Sequence, residues 1–268
     1  MPSSTAAPVT AATSSTASSA ATLATKLGID LASAGIASFF VAPFITTVDR
    51  AIIENAAGAR PLKQALKEIT MDCIRNPLSF IRRKEFLLIY GVYTATYVSA
   101  NAVDTVCETI EVDSKAPKFL STTAVNMGAC IIKDREFTRM FGVIAPTKFP
   151  LASMGLFAIR DSLTVGASFI APPILAAKFQ EIGQTPGMAN TLAQLTCPML
   201  VQFVSTPLHL LALDLYNHKS SKASERASFI SREYIKSTSA RVARVVPAFG
   251  FGGIGNKYFR DTLRTNLL

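Results

Sequence analysis

The chain has 268 residues, of which 49% are hydrophobic and only 17% charged, and its net charge is +9. Soluble domains carry about 25% charged residues, so this composition excludes an ordinary soluble enzyme and favours an integral membrane protein. The same apolar excess excludes disorder over most of the chain. No basic stripe with interleaved aromatic residues is present, so the positive charge does not indicate nucleic-acid binding. The predicted partner is a lipid bilayer.

The first 25 residues are almost entirely Ser, Thr, Ala and Pro and carry no charge. A secretory signal needs a basic start and a continuous apolar core, and a mitochondrial transit peptide needs arginines, none of which is present here. We therefore predict a disordered tail over 1–26 and a membrane domain over 27–268. A cryptic targeting role for the tail is the weaker alternative.

Apolar segments recur along the rest of the chain and predict six membrane spans. A spanning helix needs about 20 residues, which the first, second, fourth and fifth segments satisfy alone, whereas the third and sixth need flanking residues. The segments are 31–48, 86–103, 119–132, 149–177, 188–213 and 245–256.

The basic residues between the spans alternate by side of the membrane. The loops 50–84, 133–148 and 214–243, after spans one, three and five, hold eighteen Lys and Arg residues, whereas the loops after spans two and four hold three. Positive residues concentrate on one side of a membrane protein, so we expect both termini to lie opposite the basic loops. Within those loops, 61–76 and 224–238 have apolar residues at helical spacing and predict amphipathic helices, with solvated connectors as the alternative.

Polar landmarks repeat with a period of about 80 residues. Asp49, Asp134 and Asp214 follow the odd spans at intervals of 85 and 80 residues. This period predicts an internal triplication, with repeats at about 27–104, 115–178 and 187–268.

The segment STPLHLLALDLYN resembles the signature of the mitochondrial carrier family, whose odd helices carry Pro-x-Asp/Glu-x-x-Lys/Arg. Pro207 falls on the proline and His209 on the acidic position, while Ala212 replaces the basic residue. APFITTVDR keeps only the proline, at Pro43, and MGACIIKDREF lacks it. The segment RVARVVPAFGFGGIGNKYF resembles the last helix of that family. The chain therefore looks like a distant member.

This resemblance implies six tilted helices in three hairpins around a central cavity. It also implies gate residues at the ends of the odd spans and substrate-binding residues in mid-membrane. The expected gate residues are Pro43, Asp49, Arg50, Asp134, Arg135, Pro207 and Asp214. The expected substrate-binding residues are Arg160, Asp161, Arg244, His209, Asn101 and Asn256.

Plainer interpretations of these residues stay open. The aspartates and their neighbours, Asp49 with Arg50 and Asp134 with Arg135, are also typical of interfacial charges that end a span. Arg160 and Asp161 can equally begin a span in the headgroup region. Pro207 in either case frees the backbone carbonyl near Phe203, which then needs another donor.

The functional prediction is transport of a small, anionic solute by alternating access across the inner mitochondrial membrane. The alternative is a carrier-fold adaptor or scaffold that no longer transports. No catalytic motif is present, so we expect no enzyme activity and no cofactor. The four cysteines form no CxxC pair and only two histidines are present, so no metal site is predicted.

Overall fold

The computed structural model describes residues 10–142 and 150–268, and within those ranges it consists of helices without strands. Ten α-helices and one π-helical segment follow one another in these two ranges. Their bounds are α1 Thr10–Ala56, α2 Leu62–Arg75, α3 Pro77–Ile81, α4 Lys84–Thr109, α5 Lys115–Phe141, α6 Leu151–Phe169, α7 Ala171–Glu181, α8 Pro186–Asn217, α9 Ala223–Ala243, the π segment Val246–Ile254 and α10 Gly255–Leu267.

Four helical stretches in the described ranges are long and apolar enough to cross a membrane: Ala21–Ala56, Lys84–Thr109, Leu151–Glu181 and Pro186–Asn217. They coincide with the first, second, fourth and fifth predicted spans. Helix α5 falls short because four charged residues, 133–136, interrupt its apolar sequence. The all-α membrane class is therefore confirmed with four candidate spans, while the six-span count stays a prediction.

The long helices pack on one another in cyclic order. Helix α1 packs on α4, α4 on α5, α5 on α6, α6 on α8 and α8 on α9, and the π segment and α10 return to α1. Helices form at both places expected in the basic loops, as α2 and α9. Helix α2 buries the apolar residues Leu62, Ala65 and Ile69 and packs on α1, whereas α9 buries mainly polar residues. The chain thus closes on itself around a shared interior.

Helix α1 begins at Thr10, inside the segment predicted as a disordered tail. This segment is rich in alanine, which has the highest helix propensity, and contains no proline between Pro8 and Pro43. Helix formation therefore propagates from the apolar part of α1 toward the N-terminus. Residues 1–9 lie outside the described part.

Charged side chains are buried together with the apolar core, and large apolar side chains also face outward. Large apolar side chains such as Phe40, Phe44 and Val204 are more than half exposed, as expected for a surface in contact with lipid. Charged side chains such as Asp49, Asp134 and Arg160 are instead buried. Any functional polar site must therefore be sought inside the bundle.

The π segment is fixed against α4 by Tyr97. Its hydroxyl donates a hydrogen bond to the Ala248 carbonyl at 3.0 Å. A Cβ atom at Gly252 would lie 2.2 Å from the Tyr97 hydroxyl oxygen and 3.0 Å from Val41. Glycine is thus the residue that allows this close approach of three helical segments.

Candidate functional site

A continuous series of ion pairs crosses the interior, with positive and negative side chains in alternation. We call it the charge chain. Five of its six members are buried, and Arg244, at the C-terminal end of α9, is partly exposed. The pairs are Arg244–Asp49 at 2.5 Å, Asp49–Lys133 at 2.7 Å, Lys133–Asp134 at 2.5 Å, Asp134–Arg160 at 2.5 Å and Arg160–Asp161 at 2.5 Å. The charge chain therefore links α1, α5, α6 and the end of α9.

The helical period explains why α5 contributes two members. Lys133 and Phe137 are buried four residues apart, as are Asp134 and Thr138, so these pairs share the inner face of the helix. Arg135, at the next position, points outward with its side chain 44% exposed. Burial along α5 is thus set by the spacing of the residues and not by their charge.

His209 connects the charge chain to α8. The Arg160 Nη1 atom lies 2.9 Å from His209 Nδ1. An arginine only donates hydrogen bonds, so Nδ1 accepts and the proton of a neutral imidazole is on Nε2. The buried Phe157 ring lies against both groups, 5.1 Å from the Arg160 guanidinium carbon and 5.6 Å from the His209 ring. The predicted site residues Arg160, Asp161, Arg244 and His209 therefore lie together.

Arg241 is a buried cation that the sequence analysis assigned to a loop. Its side chain is held by neutral groups of α8: Nε donates to Gln202 Oε1 at 3.1 Å and Nη2 donates to Ser205 Oγ at 3.2 Å. The signal that could have revealed it is its position three residues before Arg244, which places both near one face of a helix. Lys133 was also counted as a loop residue, although it directly precedes Asp134.

A second polar group, the terminal cluster, lies at the other end of the apolar part of α1. Asp30 accepts hydrogen bonds from Thr105 and, at 2.6 Å, from Arg260 Nε. The amides of Asn101 and Asn256 pair reciprocally at 2.9 Å beside it. Asp30 precedes Asp49 by 19 residues, which is about 28 Å along a helix axis and close to the thickness of the hydrocarbon core.

Asn101 and Asn256 therefore lie apart from the other predicted substrate-binding residues. The structure divides the predicted set between the two ends of the bundle. Sequence reasoning missed Asp30 and Arg260, because single charges near span ends resemble ordinary interfacial residues. The available signal was that Asp30 and Asn101 are polar residues at the edges of long uncharged stretches, 31–48 and 86–103.

Two of the aspartates and the arginines that follow them in sequence have separate partners. Arg50 donates to Glu54 at 2.8 Å and to Glu85 at 2.9 Å, and not to Asp49. Arg135 lies 3.4 Å from Glu136, and not beside Asp134. Arg50 and Arg135 therefore lie outside the charge chain, whereas Asp49 and Asp134 belong to it.

Asp214 has partners, but it is not part of the charge chain. It accepts hydrogen bonds from Arg226 and, at 2.9 Å, from His218, both near the junction of α8 and α9. The three aspartates therefore do not form one ring. Two of them, Asp49 and Asp134, are joined through Lys133.

The freed carbonyl expected one turn before Pro207 is satisfied. The Phe203 carbonyl accepts a hydrogen bond from the Tyr234 hydroxyl of α9 at 2.8 Å, which confirms that another donor is needed there. Helix α8 continues through both Pro198 and Pro207, and α1 continues through Pro43. The gating roles of Pro43 and Pro207 stay predictions.

The sequence matches the family model described as a probable citrulline exporter over residues 33–264. The chain belongs to this family. The match includes every member of the charge chain, from Asp49 to Arg244. A search of curated proteins found no match.

The resemblance to mitochondrial carriers is wrong, because the family that matches is the exporter family. Proline and polar residues near helix ends are common in membrane helices of many kinds, and the charges of the carrier signature are missing at Ile45, Val48 and Ala212. The inner mitochondrial location depended on this resemblance and loses its basis. Membership supports a membrane transporter of a small solute, and not an enzyme.

Proposed function

We propose that the chain exports citrulline, or a closely related small amino acid, across a membrane by alternating access. The observation that carries this proposal is the charge chain, which buries both signs of charge across several helices of a membrane protein. Buried ionisable residues in membrane proteins mark solute pathways by default. The family description, probable citrulline exporter, names the solute class.

The proposed architecture has six spans around a central path, in the order α1, α4, α5, α6–α7, α8 and the π segment with α10. The cyclic packing of these elements supports it. The uneven distribution of basic loop residues supports it as well. In this arrangement α5 crosses the membrane despite Lys133 and Asp134, because these two side chains face the interior and are paired there.

The chemistry of the solute suits a barrier made of ion pairs. Citrulline is a zwitterion with an α-carboxylate, an α-ammonium group and a neutral ureido group at the end of its side chain. Breaking a buried pair costs about 3–5 kcal/mol if one charge is left alone. A zwitterion supplies both signs, so it can take over the partners of two separating residues. Opening of the charge chain is then coupled to binding of the solute.

The experiment is counterflow of labelled citrulline into vesicles that contain the purified chain and unlabelled citrulline. We expect uptake above protein-free vesicles. Arg160→Gln removes the link between Asp134, Asp161 and His209 and should abolish uptake. Arg135→Gln is the matched control, because Arg135 is a neighbouring but outward-facing arginine, and it should retain uptake.

Two results would contradict the proposal. One is a folded wild-type protein that gives no citrulline uptake above the protein-free vesicles. The other is an Arg160→Gln variant that takes up citrulline at the wild-type rate.

A further inference from the structure

Arg241 adds a positive charge to the interior that no carboxylate in the described residues balances. The charge chain is neutral by itself, with three carboxylates and three cations. Arg241 lies outside it, is only 2% exposed, and contacts the neutral side chains of Gln202 and Ser205. A buried charge is stabilised by a partner of opposite sign, so the surroundings of Arg241 favour an anionic group.

The Arg241 guanidinium is held in a fixed orientation and retains N–H groups that can donate further hydrogen bonds. Gln202, one of its two supports, is itself fixed by a hydrogen bond to the Pro198 carbonyl at 2.9 Å. Nε and Nη2 are engaged, whereas Nη1 makes no hydrogen bond to the part of the chain that the structure describes. The planar fork of a guanidinium matches the two oxygens of a carboxylate.

The site lies within reach of the charge chain. Gln202, Ser205 and His209 follow one another at spacings of three and four and so share one face of α8. Gln202 is thus about 10 Å along the helix from His209, which holds Arg160. Asp161, the last member of the charge chain, has an Oδ2 atom that is buried without a hydrogen-bond partner among the described residues. The length of an extended small amino acid is comparable to the separation of Gln202 and His209 along α8.

We propose that Arg241 binds the carboxylate of the transported amino acid, and that Asp161 Oδ2 accepts N–H groups from the same molecule. This inference rests on the proposed function and names the group that the site recognises. The unbalanced positive charge makes the carboxylate a requirement. A solute in which the carboxylate is replaced by a carboxamide loses that charge while keeping its size and its ureido group.

The test compares citrulline with citrulline amide as competitors of labelled citrulline counterflow. Wild-type protein should prefer citrulline on the order of 10- to 100-fold, the range expected for charge-assisted hydrogen bonds. Arg241→Gln should raise the half-saturation concentration of citrulline and reduce the preference to about one. Arg241→Lys should keep part of the preference, because a point charge does not reproduce the fork.

Arg232→Gln is the matched control, because Arg232 is on the same helix with its side chain 70% exposed, and its preference should equal that of the wild type. The inference is overturned if the wild type accepts the amide as well as citrulline. It is also overturned if Arg241→Gln keeps the wild-type preference or, should that variant not fold, if Arg241→Lys keeps the wild-type affinity and preference. Absence of wild-type citrulline counterflow would instead refute the proposed function.

Discussion

At the residue scale, Lys133 stabilises two buried carboxylates at once. Its Nζ atom lies 2.7 Å from Asp49 and 2.5 Å from Asp134, and its side chain is only 6% exposed. Without the ammonium group, the two carboxylates would face each other in a low-dielectric interior and repel. The lysine therefore neutralises a junction between α1 and α5.

We expect Lys133→Met to destabilise the protein by about 3–5 kcal/mol, because it leaves buried carboxylates without their cation. Methionine keeps a similar length and an apolar stem, so the effect reports the lost charge. Lys84→Met is the matched control: Lys84 pairs with Glu136 at 2.8 Å with its side chain 61% exposed, and its loss should cost about 1 kcal/mol or less.

The measurement is the thermal unfolding of both variants in the same detergent. Equal losses of stability in Lys133→Met and Lys84→Met would contradict the central role of Lys133 in the charge chain.

At the residue scale, the sequence indicated candidate site residues, but it did not indicate which residues they contact. Arg160, Asp161 and His209 could be singled out because a polar group inside an apolar segment needs a partner. Their actual partners come from other helices, far away in sequence. Arg160, for example, contacts Asp134 and His209, 26 and 49 residues away. Such distances follow from the packing of helices, which the local pattern does not specify.

Among the elements, α8 illustrates how a membrane helix tolerates proline. Pro207 has no N–H group for the Phe203 carbonyl, and no water is available for it inside a bilayer. The Tyr234 hydroxyl donates to this carbonyl at 2.8 Å and so ties α9 to α8. The hydrogen bond that Pro207 cannot donate is thus replaced by one from the neighbouring helix α9.

This compensation predicts a coupling between the two residues. Tyr234→Phe should cost about 1 kcal/mol in the natural chain, because the Phe203 carbonyl loses its donor. In a Pro207→Ala background the backbone N–H of residue 207 can reach that carbonyl, so the same change should cost almost nothing. Tyr258→Phe is the control, since the structure gives that hydroxyl no hydrogen bond to any described residue.

Thermal unfolding of the single and double variants gives the coupling energy. An equal loss of stability from Tyr234→Phe in both backgrounds would show that the hydroxyl does not compensate for the N–H group missing at Pro207.

The type and approximate position of most elements could be predicted, because apolar runs and helical spacing are local signals. The four longest apolar segments and the loop helices α2 and α9 were found in this way. Helix α5 was harder, because its inward-facing charges lower its hydropathy although they are paired in the fold. The helical conformation before residue 26 was missed, since a polar composition does not exclude a helix that continues from an apolar one.

For the whole molecule, the number of membrane crossings is a property that can be measured. Four helices qualify as spans by length and composition, whereas the basic loops and the cyclic packing favour six. The two arrangements differ in where the connections after α7 and α8 lie. With six spans, residues 184 and 113 share one side and residues 220 and 79 share the other. With four spans, residue 184 shares a side with 79, and 220 with 113.

Single cysteines at these exposed positions distinguish the two arrangements. The natural cysteines Cys73, Cys107, Cys130 and Cys197 are first replaced by serine, and Ser79, Asp113, Gln184 and Ser220 are then changed to cysteine one at a time. Sealed vesicles of one orientation are treated with a membrane-impermeant maleimide before and after permeabilisation. We expect Ser79→Cys and Ser220→Cys to react from the same side, because their loops carry the basic residues that stay on one face of a membrane. Reaction of Gln184→Cys together with Ser79→Cys would instead establish four spans, and Lys133 and Asp134 of α5 would then lie outside the bilayer.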